Sequence, residues 1–312
     1  MRSDIRCGVV GVGFLGQHHA RLYSQLEGCE LVGVLDCDFA RAGEVAELYN
    51  CRVFESLEEI AANCDCASIV TPTDKHAEVA LPLLRKNLHL LVEKPMCFSL
   101  ADAEQMCREA EIRNLVLQVG HIEHYNPVMK FLEKTVKFPR FIATQRLAPF
   151  SPRGTDVSVV LDLMIHDIGV MLQLVKSEVV RVEAIGMHVL SNTGDIANAR
   201  LYFKSGCISD ISVSRISEKK VREIRIFQEG MYLSLDFMNQ RGHLIKTADK
   251  IFKKLEIPIE MEEPLKMELL SFLSCIRSSA PPKVDAELGK ESLEIALAVE
   301  EKIRTNLPMA SN

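Results

Sequence analysis

The sequence predicts an α/β protein with a doubly wound parallel sheet, followed by an α+β domain with a large, mostly antiparallel open sheet. Short apolar runs alternate with helical segments over the first 120 residues, a pattern typical of parallel sheets. A glycine turn joins the first strand to the first helix. After Gly120 strand-like segments follow one another with few helices between them. We therefore predict domains of residues 1–121 and 122–312.

The first strand, predicted at 5–10, leads into Gly11-Val12-Gly13-Phe14-Leu15-Gly16 and then a helix at 17–26. A GxGxxG run between a strand and a helix is the dinucleotide-binding pattern. Gly11 allows the tight turn, Gly13 lets the backbone approach a pyrophosphate, and Gly16 allows close packing. The free N–H groups at the helix N-terminus favour the phosphates. The first domain is thus predicted to be a Rossmann domain that binds a dinucleotide.

The second strand, 31–35, ends at Asp36, which lies 20 positions after Gly16. An acidic residue here can accept a hydrogen bond from the ribose 2′-hydroxyl and would repel a 2′-phosphate. We therefore expect NAD rather than NADP, although the nearby Arg41 leaves NADP open. A methyltransferase could share the glycine pattern, but it would not explain Lys94.

Two further strands end in polar residues at the same edge of the sheet, where ligands bind in open α/β folds. Thr71-Pro72-Thr73 follows the strand at 67–70, and Glu93-Lys94-Pro95 follows the run at 88–92. A salt bridge with Glu93 at the surface is the alternative for Lys94. The predicted cofactor contacts are Gly11, Gly13, Phe14, Leu15, Gly16, Asp36, Thr71, Pro72, Thr73, His76, Glu93 and Lys94.

The second half contains a helical stretch from 121 to about 136 and a helix at 159–174. Two helices at about 262–278 and 285–304 close the chain, and their Met and Leu residues are expected in the core. The predicted strands lie at 141–147, 180–190, 197–203, 208–214, 221–227 and 231–237.

Asp162 and His166 lie four residues apart in the predicted helix at 159–174, so they are expected on one face. A structural Asp–His bond is one interpretation. The other is catalytic, because oxidation of an alcohol needs a hydride acceptor, a base and a cation for the alkoxide. His166 suits the base, Lys94 suits the cation, and Asp162 can orient either group.

Composition narrows the function further. A net charge of -6 gives no general footprint for nucleic acid or membrane surfaces. No apolar run approaches the roughly 20 residues that span a bilayer. Ten cysteines without a CxxC pair indicate reduced thiols in a cytoplasm. No metal is expected, since His121 and His124 lack further ligands.

Gly11-x-Gly13-x-x-Gly16, Glu93-Lys94-Pro95 and Asp162-xxx-His166-Asp167 together resemble the Gfo/Idh/MocA oxidoreductase family, over essentially the whole chain. The resemblance implies a sugar or polyol substrate. It also implies that Lys94, Asp162 and His166 form the catalytic set, with His166 as the general base. Family members usually form dimers or tetramers through the outer face of the second sheet.

A narrower resemblance rests on residues 120–127, 146–153, Asp156-Val157 and 162–167. These segments look like the branch that oxidises the C3 hydroxyl of UDP-N-acetylglucosamine to a ketone, which an aminotransferase then uses, in one setting for lipopolysaccharide precursors. The chain has His124-Tyr125-Asn126-Pro127 where this branch would have Arg-Phe-Asn-Pro.

A nucleotide-sugar diphosphate should meet a cation, and guanidinium groups match phosphate oxygens well. Arg146 and Arg153 are candidates, with two surface arginines as the alternative. The predicted substrate contacts are Lys94, His121, Tyr125, Asn126, Arg146, Arg153, Asp162 and His166. Two other functions stay open: a dehydrogenase of a free sugar or polyol such as inositol, and a non-catalytic dinucleotide-binding sensor. The presence of Lys94, Asp162 and His166 together favours an enzyme.

Overall fold

A computed structural model of the protein describes residues 4–151, 157–248 and 251–306, without the side chains of residues 247, 248, 251 and 252. The chain divides into two compact units. The first unit comprises Met1–Ile122 and Glu263–Lys290, and the second comprises Glu123–Glu262 and Glu291–Asn312. The segment Glu263–Lys290, which the sequence analysis placed in the second domain, thus groups with the first unit.

The first unit contains a parallel sheet of six strands in the order β3-β2-β1-β4-β5-β6, which confirms the predicted doubly wound topology. Because all strands are parallel, their carboxyl ends meet at one edge. The strands are β1 (Ile5–Val10), β2 (Cys29–Leu35), β3 (Arg52–Val53), β4 (Cys66–Ile69), β5 (His89–Glu93) and β6 (Leu117–Gly120).

Helices connect these strands, and side-chain caps fix where several of them begin. Asp38 and Ser56 accept the capping hydrogen bonds of the second and third helices, and Ser99 caps the fifth by accepting from the backbone N–H of Asp102. The helices are α1 (Gly16–Tyr23), α2 (Phe39–Tyr49), α3 (Leu57–Asn63), α4 (His76–Arg85) and α5 (Leu100–Ile112).

The second unit contains a sheet of eight strands in the order β14-β13-β12-β11-β7-β10-β9-β8. Among the described strand pairs of this second sheet, only β7 and β10 run parallel. The prediction of a mostly antiparallel sheet is therefore confirmed. The strands are β7 (Pro139–Leu147), β8 (Val179–Met187), β9 (Ile196–Phe203), β10 (Ile208–Ser214), β11 (Val221–Gln228), β12 (Met231–Asp236), β13 (Arg241–Ala248) and β14 (Ile251–Glu256). The last two were not predicted.

Two helical segments of the second unit carry residues of the predicted site. The first is α6 (Pro127–Thr135), which Asn126 caps. The second differs from the predicted single α-helix, because Val160–Met164 forms a π-helical turn that continues into α7 (Ile165–Val175). This turn and α7 lie against β10, and α7 also lies against β7. π-Helical turns frequently occur at functional sites.

The chain closes with α8 (Pro264–Ser278) and α9 (Ala286–Asn306), close to the two predicted helices. The core of the first unit includes residues of α8: Leu265, Leu269 and Phe272 are buried together with Val9 and Leu22. Predicted core positions on α8 are thus confirmed. No helix in the described part of the chain is long and apolar enough to cross a membrane.

Candidate active site

The glycine loop after β1 has the backbone geometry that a dinucleotide needs. Gly11 has φ +86°, and a Cβ there would lie 2.6 Å from the carbonyl oxygen of Val70. A Cβ on Gly16 would lie 1.8 Å from the Gly11 carbonyl oxygen, so both positions require glycine. Among the described residues, no atom lies within 4 Å of a Cβ placed on Gly13, which leaves the loop open to a ligand. The N-terminus of α1 has no side-chain cap, so it can receive an anion.

Asp36 lies beside this loop at the end of β2. Its Oδ2 accepts a hydrogen bond from the backbone N–H of Val12 at 2.7 Å, and its Oδ1 accepts from Asp38 N–H at 3.0 Å. The guanidinium of Arg41 is held close by, because its Nε donates to the Val12 carbonyl oxygen at 3.1 Å. A carboxylate therefore lies at the position from which it can reach a ribose hydroxyl.

The loops after β4 and β5 are joined by His76. Its Nδ1 lies 2.9 Å from the carbonyl oxygen of Pro95, and its Nε2 lies 2.9 Å from that of Thr71. Burial lowers the pKa of His76, although the two hydrogen bonds act in the opposite direction. The ring of His76 thus connects the two loops, and its contact with the cofactor stays a prediction. The Lys94–Pro95 peptide bond is cis.

Lys94 follows β5 at the same edge of the sheet and is half-buried. The preceding Glu93 is only 7% exposed, so its carboxylate is not at the surface. Its Oε2 accepts a hydrogen bond from the backbone N–H of Lys94 at 3.3 Å. The carboxylate of Glu93 thus supports the main chain of Lys94, and the contact of Glu93 with the cofactor stays a prediction.

In the second unit, Asp162 lies in the π-helical turn and His166 lies in the first turn of α7. Both side chains are half-buried. Arg215 was not predicted from the sequence as a site residue. Its Nη2 lies 4.0 Å from Asp162 Oδ2 and donates a hydrogen bond to the Val157 carbonyl oxygen at 3.0 Å. The only signal in the sequence was its position, directly after β10. Arg215 thus places a buried cation beside Asp162.

Arg146 lies on β7 inside a buried cluster of charges. Its Nε donates to Asp167 Oδ2 at 2.9 Å and its Nη1 donates to Glu123 Oε1 at 2.8 Å. Arg222 adds a second cation, 3.2 Å from Glu123. Burial would raise the pKa of Glu123, but Arg146 and Arg222 bring it below its ordinary value. The guanidinium of Arg146 is thus occupied by two carboxylates and 3% of the residue is exposed, while its role as a phosphate ligand stays a prediction.

Other predicted substrate contacts also have structural partners. Asn126 is buried, accepts from Val128 N–H at 3.0 Å and donates to the Phe237 carbonyl oxygen at 3.0 Å. Its two polar groups thus fix the start of α6, and its contact with the substrate stays a prediction. His121 is buried, whereas Tyr125 is half-buried. Arg153, the remaining predicted arginine, lies outside the described residues. Within the described ranges, no group of three or more His, Cys, Asp or Glu residues could hold a metal ion.

Two family models match this chain. Residues 5–121 match the model of an oxidoreductase family with an NAD-binding Rossmann fold. Residues 136–232 match the model of the GFO/IDH/MocA C-terminal domain.

The UDP-N-acetylglucosamine 3-dehydrogenase of Acidithiobacillus ferrooxidans is similar over the full length. The two chains are 34% identical over 95% of this chain and 96% of the relative. A solved structure of that enzyme superimposes with a TM-score of 0.94, covering 98% of this chain and 99% of the other. The scyllo-inositol 2-dehydrogenase (NAD(+)) of Bacillus subtilis is 25% identical over 99% of this chain and 97% of the relative.

Proposed function

Because the chain belongs to the Gfo/Idh/MocA family of oxidoreductases, we propose that it oxidises a nucleotide-sugar hydroxyl with NAD, namely C3 of UDP-N-acetylglucosamine, to the 3-keto sugar. The observation that carries this proposal is the 34% identity to a UDP-N-acetylglucosamine 3-dehydrogenase over 95% of the chain. The substrate follows from that similarity, and the roles of individual residues follow from the chemistry of the site.

The cofactor is proposed to lie on the loop from Gly11 to Gly16. The open space above Gly13 suits the pyrophosphate, and the carboxylate of Asp36 suits the ribose 2′-hydroxyl. Phe14 and Leu15 are exposed on this loop, and Thr71, Pro72 and Thr73 follow β4 at the same edge. NAD supplies the acceptor for the hydride, and all other steps belong to side chains of the chain. Because Asp36 would repel a 2′-phosphate, NAD is favoured over NADP.

The proposed catalytic residues are His166, Lys94 and Asp162. His166 accepts the proton of the C3 hydroxyl while the hydride leaves the same carbon, so the C–O bond becomes a C=O bond. The ammonium group of Lys94 stabilises the negative charge that develops on the oxygen. Asp162, which has the buried Arg215 beside it, orients His166 or Lys94. His121 and Tyr125 are retained as proposed sugar contacts, and Arg153 as a proposed diphosphate contact.

Oxidation of a free polyol is the second candidate. It is supported by the 25% identity to an inositol dehydrogenase over 99% of the chain. The two candidates differ in whether the substrate must carry a nucleoside diphosphate, which a substrate panel distinguishes directly.

The product and the assembly follow from the same proposal. A 3-keto sugar is the substrate that an aminotransferase requires, so we expect such an enzyme to act next, for example in lipopolysaccharide precursor synthesis. The ten cysteines are free thiols, as suits a reducing cytoplasm, where we propose that the reaction takes place.

An aromatic row of Phe141, Phe227 and Tyr232, with ring centroids 5.8 and 4.8 Å apart, supports a homodimer or homotetramer formed through the sheet of the second unit.

The test is a substrate panel with purified protein, NAD or NADP, UDP-sugars, free sugars and inositol, followed by the absorbance of reduced nicotinamide. We expect turnover with UDP-N-acetylglucosamine and a preference for NAD that Asp36→Ala weakens. His166→Ala should lower kcat by about 100-fold or more while the affinity for NAD is retained. Turnover restricted to inositol or free hexoses would overturn the nucleotide-sugar proposal, and full activity of His166→Ala would remove His166 from the role of base.

A further inference from the structure

A group of buried polar side chains surrounds Glu93 in the first unit and has no part in the chemistry proposed above. Glu93 lies at the end of β5, His19 on α1, Gln118 on β6 and Glu268 on α8. His19, Gln118 and Glu268 are 0% exposed. Four separate elements thus bring ionisable or amide groups into the interior next to Lys94. Burial of such groups is costly unless they are paired or used.

The carboxylate of Glu93 is confined on several sides. Its Oε1 lies 3.4 Å from His19 Nε2, and its Oε2 accepts the backbone N–H of Lys94 at 3.3 Å. Gly120 pairs with Glu93 across β5 and β6, and a Cβ on Gly120 would lie 2.7 Å from Glu93 Oε1. A side chain at position 120 would therefore displace the carboxylate. The position of this carboxylate is coupled to the main chain of Lys94.

Glu268 is the second carboxyl group near Glu93. Its backbone is fixed, because Gln118 Nε2 donates to its carbonyl oxygen at 3.2 Å. Burial raises the pKa of Glu268 well above its ordinary value, and the negative charge of Glu93 makes a smaller contribution in the same direction. This direction favours the protonated form of Glu268, in which its carboxyl group is an O–H donor.

Several buried polar atoms of this group have no hydrogen-bond partner among the described residues. They are both ring nitrogens of His19, both carboxyl oxygens of Glu268 and the Oε1 of Gln118. A cluster of such atoms is the environment in which internal water is held, with two to four polar partners for each molecule. A bound water can accept a hydrogen bond from the carboxyl group of Glu268 and donate one to the carboxylate of Glu93.

We propose that Glu268 and His19 are positioning residues which, through a buried water, hold the Glu93 carboxylate and with it the main chain of Lys94. The inference rests on the proposed function, because the importance of this orientation depends on Lys94 as the cation of the reaction. The charged and titratable groups that face Glu93 are His19 from α1, His76 from α4, Glu268 from α8 and the adjacent Lys94.

The kinetic test compares Glu268→Leu, which removes the donor, with Glu268→Gln, which keeps a neutral donor of the same shape. The exposed Lys266→Gln on the same helix is the control. We expect Glu268→Leu to lower kcat about tenfold or more, with KM for the sugar and Kd for NAD nearly unchanged, and Glu268→Gln to recover most of that loss. An unchanged kcat in Glu268→Leu, or an equal loss in Glu268→Gln, would overturn the proposal.

Two measurements separate this inference from the proposed function, because neither needs turnover. Infrared difference spectra of the wild type minus Glu268→Gln should show the carbonyl band of a protonated carboxylic acid at neutral pH. Acylation of Lys94, followed by peptide mass spectrometry, should change in rate in Glu268→Leu and His19→Leu but not in Lys266→Gln. These two measurements test the positioning role of Glu268 and His19 even if the wild type is inactive on UDP-N-acetylglucosamine. An ionised Glu268 with unchanged Lys94 reactivity would reject it.

Discussion

At the scale of single residues, the clearest lesson comes from Arg146, an arginine whose charge serves the fold. Its guanidinium contacts Glu123 and Asp167, which lie 23 and 21 positions away in the chain. No local pattern in a sequence announces such partners. Asp36 was predictable for the opposite reason, because its place depends on one strand and one glycine turn that adjoin it in the chain.

Arg146→Leu should leave Glu123 and Asp167 buried without a compensating charge. Removal of one partner from a buried ion cluster costs about 3–5 kcal/mol of unfolding free energy. Urea denaturation measures this loss. The control is Arg200→Leu, which breaks the more exposed pair with Asp210 and should leave the free energy of unfolding nearly unchanged. Equal losses in the two variants would contradict the role given to Arg146.

At the scale of elements, the predicted bounds of a strand agree with the structure where the strand has a clear hydrophobic pattern of its own. The predictions failed where neighbouring elements determine the conformation of a segment. The strands β1 and β10 were predicted with the observed bounds. The final strands β13 and β14 carry arginine and lysine residues, and β14 lies at the edge of the sheet, where such residues are common. The π-helical turn at Val160–Met164 was also missed, because its apolar residues have the same spacing as those of an α-helix.

The connection between β8 and β9 is held by one carboxylate. Asp195 is buried, and its Oδ2 accepts the backbone N–H groups of Val189, Leu190 and Ser191 while its Oδ1 accepts the Ser191 hydroxyl. Burial alone would raise the pKa of Asp195, but these hydrogen bonds lower it far below its ordinary value. The charged form is therefore the one that stabilises this turn.

Asp195→Asn should lower stability by about 1 kcal/mol at neutral pH, since an amide nitrogen cannot accept these N–H groups. A depressed pKa in the folded state gives stability that is present above the unfolded pKa of about 3.9 and is lost as the pH falls through the folded value. The deficit of the variant should thus shrink between pH 7 and pH 3 in thermal unfolding. A deficit of the same size at both pH values, or an equal deficit in the exposed Glu229→Gln, would contradict this account.

At the scale of the whole molecule, the first unit is built from two separate stretches of the chain. No sequence pattern indicates this division, because α8 follows the second sheet without a change in composition. Yet Leu265, Leu269 and Phe272 of α8 are buried in the same core as Val9 and Leu22. A core that depends on residues so distant in sequence can be recognised only in the folded chain.

A fragment of residues 1–122 should therefore expose apolar surface that α8 otherwise covers. We expect it to bind a hydrophobic dye and to unfold without a cooperative transition. The matched control joins residues 1–122 to 263–290 by a Gly/Ser linker and should unfold cooperatively and bind NAD. Equal cooperativity in both chains would show that α8 is dispensable to the first unit.

The same arrangement has a consequence during protein synthesis. At roughly 5–20 residues per second, the ribosome completes the strands of the first sheet well before it makes α8. The nascent chain must then carry an unfinished hydrophobic core while the entire second sheet is translated, and the first unit can close only once residue 290 has left the exit tunnel. Chaperone demand in the cell should accordingly peak over this interval.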